Sequence, residues 1–204
     1  MVTAASLPTR RRRRGAELEA ALLEAAWDEL VQTGYARLTM GTIATRAATS
    51  EAVLYRRWAN KDELTLAAIE HYRRMHPVAD PDTGALRSDL IALLTAISDS
   101  RAGYFAIAAG AAFSGLLADA GLTPTQARDR VMGDSLRPRD RAVFRRAHDR
   151  GEIDLQGIPA AVLALPFDLA RHDLIMDLGP LKPARIRSIV DELFLPLVRA
   201  ADRG

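Results

Sequence analysis

The sequence predicts an all-α protein: an N-terminal helix-turn-helix three-helix domain followed by a C-terminal helical bundle, about nine helices in all. Three observations predict it. Apolar residues recur at i, i+3 and i+4 along most of the 204 residues, and nothing reads as a strand. Start and stop signals bracket these stretches, among them Thr39, Asn60-Lys61-Asp62-Glu63, Thr123-Pro124-Thr125-Gln126, Gly34 and Gly151. Two short helices flank a tight polar turn, Ala48-Thr49-Ser50, which is the spacing of a helix-turn-helix.

Helix 1 is expected from about Ala16 to Thr33, with Leu18, Leu22, Ala25, Ala26 and Leu30 on one face and Gly34 as its stop. Tyr35 and Leu38 are expected to close the small core. Thr39 caps helix 2, whose Ile43, Ala44 and Ala47 share a buried face. Ser50 caps helix 3, with Leu54 and Trp58 inward and Glu51, Ala52, Tyr55, Arg56 and Arg57 outward. The capping box at Asn60–Glu63 opens helix 4, which carries Leu64, Ala67 and Ala68 inward to about Met75. Pro77–Gly84 is a breaker cluster and a boundary. The organisation expected is a disordered basic arm at 1–14, a helix-turn-helix DNA-binding domain at 15–62 and a second helical domain at 63–204.

Beyond the breaker, helix 5 is predicted at about 85–100 and helix 6 at about 103–120, the latter apolar on nearly every side and therefore enclosed. Its uncharged run is a little short for a membrane span. Helix 7 starts at the Thr123 capping box and runs toward Arg150 with a break at Pro138. Helix 8, about 159–178, is broadly apolar despite Pro166. Helix 9, about 183–199, bears a narrower stripe. Helices 8 and 9 can pair with their copies in a four-helix interface through Leu169, Asp173, Ile186, Ile189, Val190, Leu193 and Leu197, or pack within their own subunit.

Charge is uneven: Lys and Arg number 12 against 9 acids up to Met75, and 16 against 17 beyond it. Arg10–Arg14 form one run beside the helix-turn-helix, suited to phosphate contact or simply to a solvated tail. The absence of cysteine excludes disulfides and fits a cytoplasmic protein. No apolar run follows the basic start, so a secretory signal is not expected. No nucleophile elbow, phosphate loop or H-E-x-x-H occurs, and His71 and His76 lie five apart, off one zinc-binding face. Enzymatic activity, a cofactor, a metal and a membrane partner are therefore not expected.

Residues 20–64, AALLEAAWDELVQTGYARLTMGTIATRAATSEAVLYRRWANKDEL, resemble the N-terminal domain of tetracycline-repressor-like (TetR) regulators. Ala25-Ala26, Gly34-Tyr35, Thr39, Ile43-Ala44, Ala47, Ser50, Leu54-Tyr55, Trp58, Lys61 and Leu64 carry the likeness. The C-terminal part is similar in general plan and in Ala147-x-x-Arg150-Gly151-Glu152-Ile153. The resemblance implies a homodimeric repressor that reads a pseudo-palindromic operator in double-stranded DNA and is released by a small-molecule effector, with 63–204 as the regulatory domain for effector binding and dimerisation. It places Thr39, Tyr55, Arg57 and Lys61 on phosphates, and Gly41, Glu51, Ala52 and Arg56 toward the groove; Ser50 joins this DNA-binding set. Gly41 stands where a longer polar residue is common, Ala48 replaces the usual turn glycine, and Arg57-Trp58 replaces the more usual His-Phe.

Arg56 suits guanine O6 and N7, and Glu51 can accept from cytosine N4 or simply favour the helix dipole. For a largely apolar effector the candidates are Tyr104, Phe105, Phe113, Phe144, Phe167, His172 and Met176, with Asp168 and His172 as a polar spot. The competing expectation is a helical dimeric interaction protein with weak or partner-controlled DNA binding and no effector.

Overall fold

The structure, a computed structural model, describes residues 15–132 and 138–201. The Arg10–Arg14 run lies outside the described residues. Among those described there are nine helices and no strand. They are α1 (Ala16–Thr33), α2 (Met40–Arg46), α3 (Glu51–Tyr55), α4 (Lys61–Met75), α5 (Leu86–Asp119), α6 (Pro124–Met132), α7 (Ala142–Asp149), α8 (Ala160–Asp177) and α9 (183–201).

Two hydrophobic cores organise them. The first gathers Leu22, Leu30, Tyr35, Leu38, Ile43, Leu54, Trp58 and Leu64 from α1–α4, and Tyr104, Ala111 and Leu116 from the second half of α5. The second gathers Leu90 and Leu94 from the first half of α5 with Phe144, Phe167, Leu174, Ile189 and Phe194. One helix thus feeds both cores.

That continuity corrects the expected break near residue 102. Gly103 lowers helix propensity but does not stop a helix whose neighbours pack well, and Ser100 bonds back to the Ala96 carbonyl (2.6 Å) without interrupting it. The break falls later. A wide π turn occupies Ala112–Leu116, with Gly115 at φ 109°, a conformation that suits glycine. Nor is the segment enclosed, because Phe113 is 80% exposed.

Two remote side chains close ends that the local sequence leaves open. Arg101 of α5 donates to the Arg73 carbonyl (3.1 Å) and the His76 carbonyl, tying down the C-terminal end of α4. At the start of α5, Ala85 cannot cap, and Glu152 accepts from the Leu86 N–H instead (2.7 Å). Arg150 bonds both Glu152 (2.5 Å) and the buried Asp89 (3.1 Å). The Arg150-Gly151-Glu152 stretch is therefore a clamp on α5.

The last helix also differs from its sequence pattern. A π turn at Ser188–Phe194 shifts the phase of the apolar stripe. Ile186, Ile189, Val190, Phe194 and Val198 face the second core, while Leu193 and Leu197 are left 38% and 44% exposed. Ile186, Ile189 and Val190 are thus filled in by their own subunit and cannot meet a second copy, a correction to the expected interface. Asp173 is likewise engaged at home, accepting from Arg185 of α9 (2.7 Å), and Leu169 is half-buried. The break around Pro138 occurs as a 3-10 turn, Pro138–Asp140.

Candidate nucleic-acid interface

The reading unit starts from its caps. Thr39 accepts from the Thr42 N–H (3.0 Å), and Thr42 Oγ1 accepts from the Thr39 N–H (3.2 Å), a capping box the sequence showed only by half. The turn that follows holds Ala48 at φ 52°, and the Thr49 N–H reaches back to the Ala44 carbonyl (2.9 Å). A non-glycine there costs about 1–2 kcal/mol. Full burial of Ile43 and Leu54 on either side stabilises the packing by about 1.5–3 kcal/mol each, so the turn keeps its shape. Ser50 occupies the N-cap of α3, but its hydroxyl makes no capping bond, which corrects the expectation and leaves that group free.

α3 ends at Tyr55, and Arg56 and Arg57 sit in the closing turn, where the Arg57 and Trp58 N–H groups bond the Leu54 carbonyl (2.9 and 3.0 Å). Trp58 is buried, so the alternation places Glu51, Ala52, Tyr55, Arg56 and Arg57 together on the exposed side. Among the described residues Arg56 and Arg57 form no ion pair. Arg46 differs: it is held by Glu29 (2.5 Å) and Gln32, so it braces α2 against α1.

Gly41 and Glu51 belong together. A Cβ on Gly41 would come within 3.1 Å of Glu51 Oε1, so the missing side chain on α2 makes room for the carboxylate of α3. The departure at Gly41 is thus matched by the placement of Glu51.

α4 leaves the unit under a full cap: Asn60 accepts from the Glu63 N–H (2.9 Å) and Glu63 from the Ala59 N–H (2.9 Å). The Lys61 ammonium lies 4.2 Å from the centroid of the Tyr35 ring. The Tyr35 hydroxyl shares its hydrogen between Asp62 (2.5 Å) and Asp119 (2.8 Å). Burial, then these two carboxylates, push that hydroxyl well above the usual tyrosine range.

Behind α4 lies an apolar cavity of about 430 Å³. Leu66 and Ile69 of α4, Tyr104, Phe105, Phe113 and Leu116 of α5, and Val131 of α6 are among its walls. Burial pushes the Tyr104 hydroxyl up to about 12. Arg128 and Arg171 are its charged groups, paired with Asp129 (2.8 Å) and Asp168 (2.8 Å). Three of the seven candidates, Tyr104, Phe105 and Phe113, therefore line it. Phe144 and Phe167 do not, because they meet edge-on (6.0 Å between centroids) in the second core. His172 and Met176 do not either; they point to the surface. The Asp168–His172 spot does not form, since Asp168 takes Arg171 and His172 takes Asp173 (3.2 Å). Sequence reasoning missed Leu66 and Ile69, whose i, i+3 spacing is a second apolar stripe on α4.

A capped helix-turn-helix whose outer arginines form no ion pair among the described residues, joined through α4 to a cavity-bearing helical bundle, is the architecture of a DNA-binding transcriptional regulator. Comparison with known proteins gives the family. Residues 22–68 match the family described as bacterial regulatory proteins, tetR family, and residues 80–193 match the tetracyclin repressor-like C-terminal domain. The chain is 32% identical to the DNA-binding transcriptional repressor TetR of Mycobacteroides abscessus, over 93% of this chain and 98% of that one. It is also 32% identical to an uncharacterized HTH-type transcriptional regulator of Mycobacterium tuberculosis, over 87% and 86% of the two chains. Among solved structures, the TetR family transcription regulator SCO0332 matches with a TM-score of 0.59 and 25% identity, covering 87% of this chain and 97% of that one. The fatty acid degradation regulator FadR of Bacillus halodurans shares the fold, with a TM-score of 0.59 at 15% identity over 90% and 97%. The chain belongs to the tetR family of bacterial transcriptional regulators.

Proposed function

We propose that this protein is a homodimeric repressor that binds a pseudo-palindromic operator and releases it when a largely apolar small molecule fills the cavity behind α4. Arg56, Glu51 and Ala52 read base edges; Thr39, Ser50, Tyr55, Arg57 and Lys61 hold phosphates; Gly41 gives Glu51 its room. Leu193 and Leu197, with the 60% exposed Met176 of α8, supply the apolar surface for a second copy. The protein then works in the cytoplasm, where bacterial operators lie.

The observation that carries this reading is the position of α4. Its first turn holds Lys61 beside the reading unit, and one to two turns on Leu66 and Ile69 form cavity wall. A ligand pressing on those residues acts on a helix whose other end meets DNA, and a coupling of about 1–3 kcal/mol is the usual scale.

Selection of bound duplexes from a random DNA pool tests it. A palindromic consensus is the expected outcome. Salt-sensitive binding with no consensus would instead favour a helical interaction protein whose DNA binding is weak or controlled by another protein.

A further inference from the structure

We propose that Asp119 is a positioning residue for operator binding: through the Tyr35 hydroxyl it locks the kinked end of α5 onto the first turn of α4. Three separate segments meet there. Tyr35 comes from the turn after α1, Asp62 from the start of α4, and Asp119 from the last turn of α5, 84 residues from Tyr35. Tyr35 is 2% exposed and Asp62 8%, so this end of the joint is fixed by packing, whereas Asp119 approaches from an exposed helix end. The Tyr35 ring also carries the Lys61 ammonium. One tyrosine therefore meets Lys61 through its ring and, through its hydroxyl, joins the helix that Lys61 starts to the tail of the cavity-lining helix.

The tail turns at a glycine beside the joint. Gly115, at φ 109°, breaks the helix four residues before Asp119, and a Cβ added to it would lie 3.9 Å from Asp119 Oδ2 and 4.0 Å from Tyr35 Cε1. Phe113, Leu116 and Leu117 on either side of that glycine are cavity wall. A molecule seated against them would shift Asp119 and loosen the joint. That last step rests on the cavity being the effector site; the joint itself does not.

The chemistry of the joint predicts which side chains can serve. Two carboxylates compete for one hydrogen, so an alanine at 119 removes the tie. An asparagine keeps it, donating from Nδ2 to the Tyr35 oxygen while Tyr35 gives its own hydrogen to Asp62. With the tie intact the reading unit is preorganised for its operator, and affinity is lost when the tie is cut.

The test is a ligand-free operator titration over a range of salt concentrations with Asp119→Ala, Tyr35→Phe, the double variant and Asp119→Asn. Asp119→Ala and Tyr35→Phe should each weaken binding about tenfold, and the double variant should bind no worse than the weaker single, as for one coupled pair. Asp119→Asn should bind within about twofold of the parent, and all four should keep the parental salt slope because no phosphate contact is removed. Losses that multiply in the double variant, unchanged or tighter binding by Asp119→Ala, or no rescue by asparagine would overturn the joint. Should Tyr35→Phe melt early, the contrast between alanine and asparagine at the exposed position 119 decides alone. Because no effector is present, an empty or irrelevant cavity leaves these outcomes untouched.

Discussion

At the scale of single residues, the two most informative positions are small ones. Ala48 holds the turn of the helix-turn-helix at φ 52°, where glycine fits without strain. Ala48→Gly should therefore raise thermal stability by about 1 kcal/mol, read as a higher midpoint in a melting curve, with operator affinity retained. Lys61 lies between its ring contact with Tyr35 and the phosphate role proposed for it. Lys61→Ala is expected to weaken binding to every sequence alike and flatten the salt slope by about one unit, whereas Arg56→Ala should cost about 1–3 kcal/mol and relax preference at one base pair. Titrations against single-base operator variants separate the two. The outward place of Arg56 was legible in the sequence, because Leu54 and Trp58 are the inward pair of their helix, whereas Lys61 enters only through the family resemblance. The room that Gly41 leaves for Glu51 was not, since it depends on how closely two helices cross.

Elements show where local pattern suffices and where it fails. The end of α1 at Gly34 and the starts of α2 at Thr39 and of α4 at Asn60 follow from caps beside them in the chain, and such signals are visible in any sequence. α5 starts where its pattern predicts, although the partner that completes that end is Glu152, 66 residues away, and it departs from local logic by running on through Gly103. The stripe on α9 misled for a different reason: a π turn adds a residue per turn, so Phe194 takes the inward place that a 3.6 period assigns to Leu193. The clamp on α5 yields a pH prediction. Burial pushes the Asp89 carboxyl up, but the bonds from Thr83 and Arg150 outweigh it and hold the group below the usual carboxylate range. A carboxyl lowered in the folded state adds stability above its unfolded value of about 4, and loses it as pH falls through the folded one. Denaturant midpoints measured from pH 6 downward should drop steeply below about pH 4, and less steeply in Asp89→Asn, which starts from a lower plateau because Arg150 loses a charged partner.

For the whole molecule, the division into two cores spanned by one helix explains how a DNA reader and a cavity can share a single chain. The second half of α5 packs with α1–α4, so the reading unit does not hang from a linker but rests on the helix that lines the cavity. The polar Pro77–Gly84 cluster separates α4 from α5 along the chain, but not in space, and sequence alone cannot reveal a helix that crosses back. Two copies joined through α8 and α9 would hold two reading units at a fixed separation, matched to half-sites about one helical turn apart, roughly 34 Å. The central claim, a rigid two-fold reader of DNA, is tested most directly by operator spacing. Affinity is to be measured for the selected palindrome and for the same duplex with half a helical turn, about five base pairs, inserted between its half-sites. The account predicts that the insertion reduces binding to that of a single half-site, with the full two-chain complex lost. Undiminished binding to the respaced duplex would contradict it.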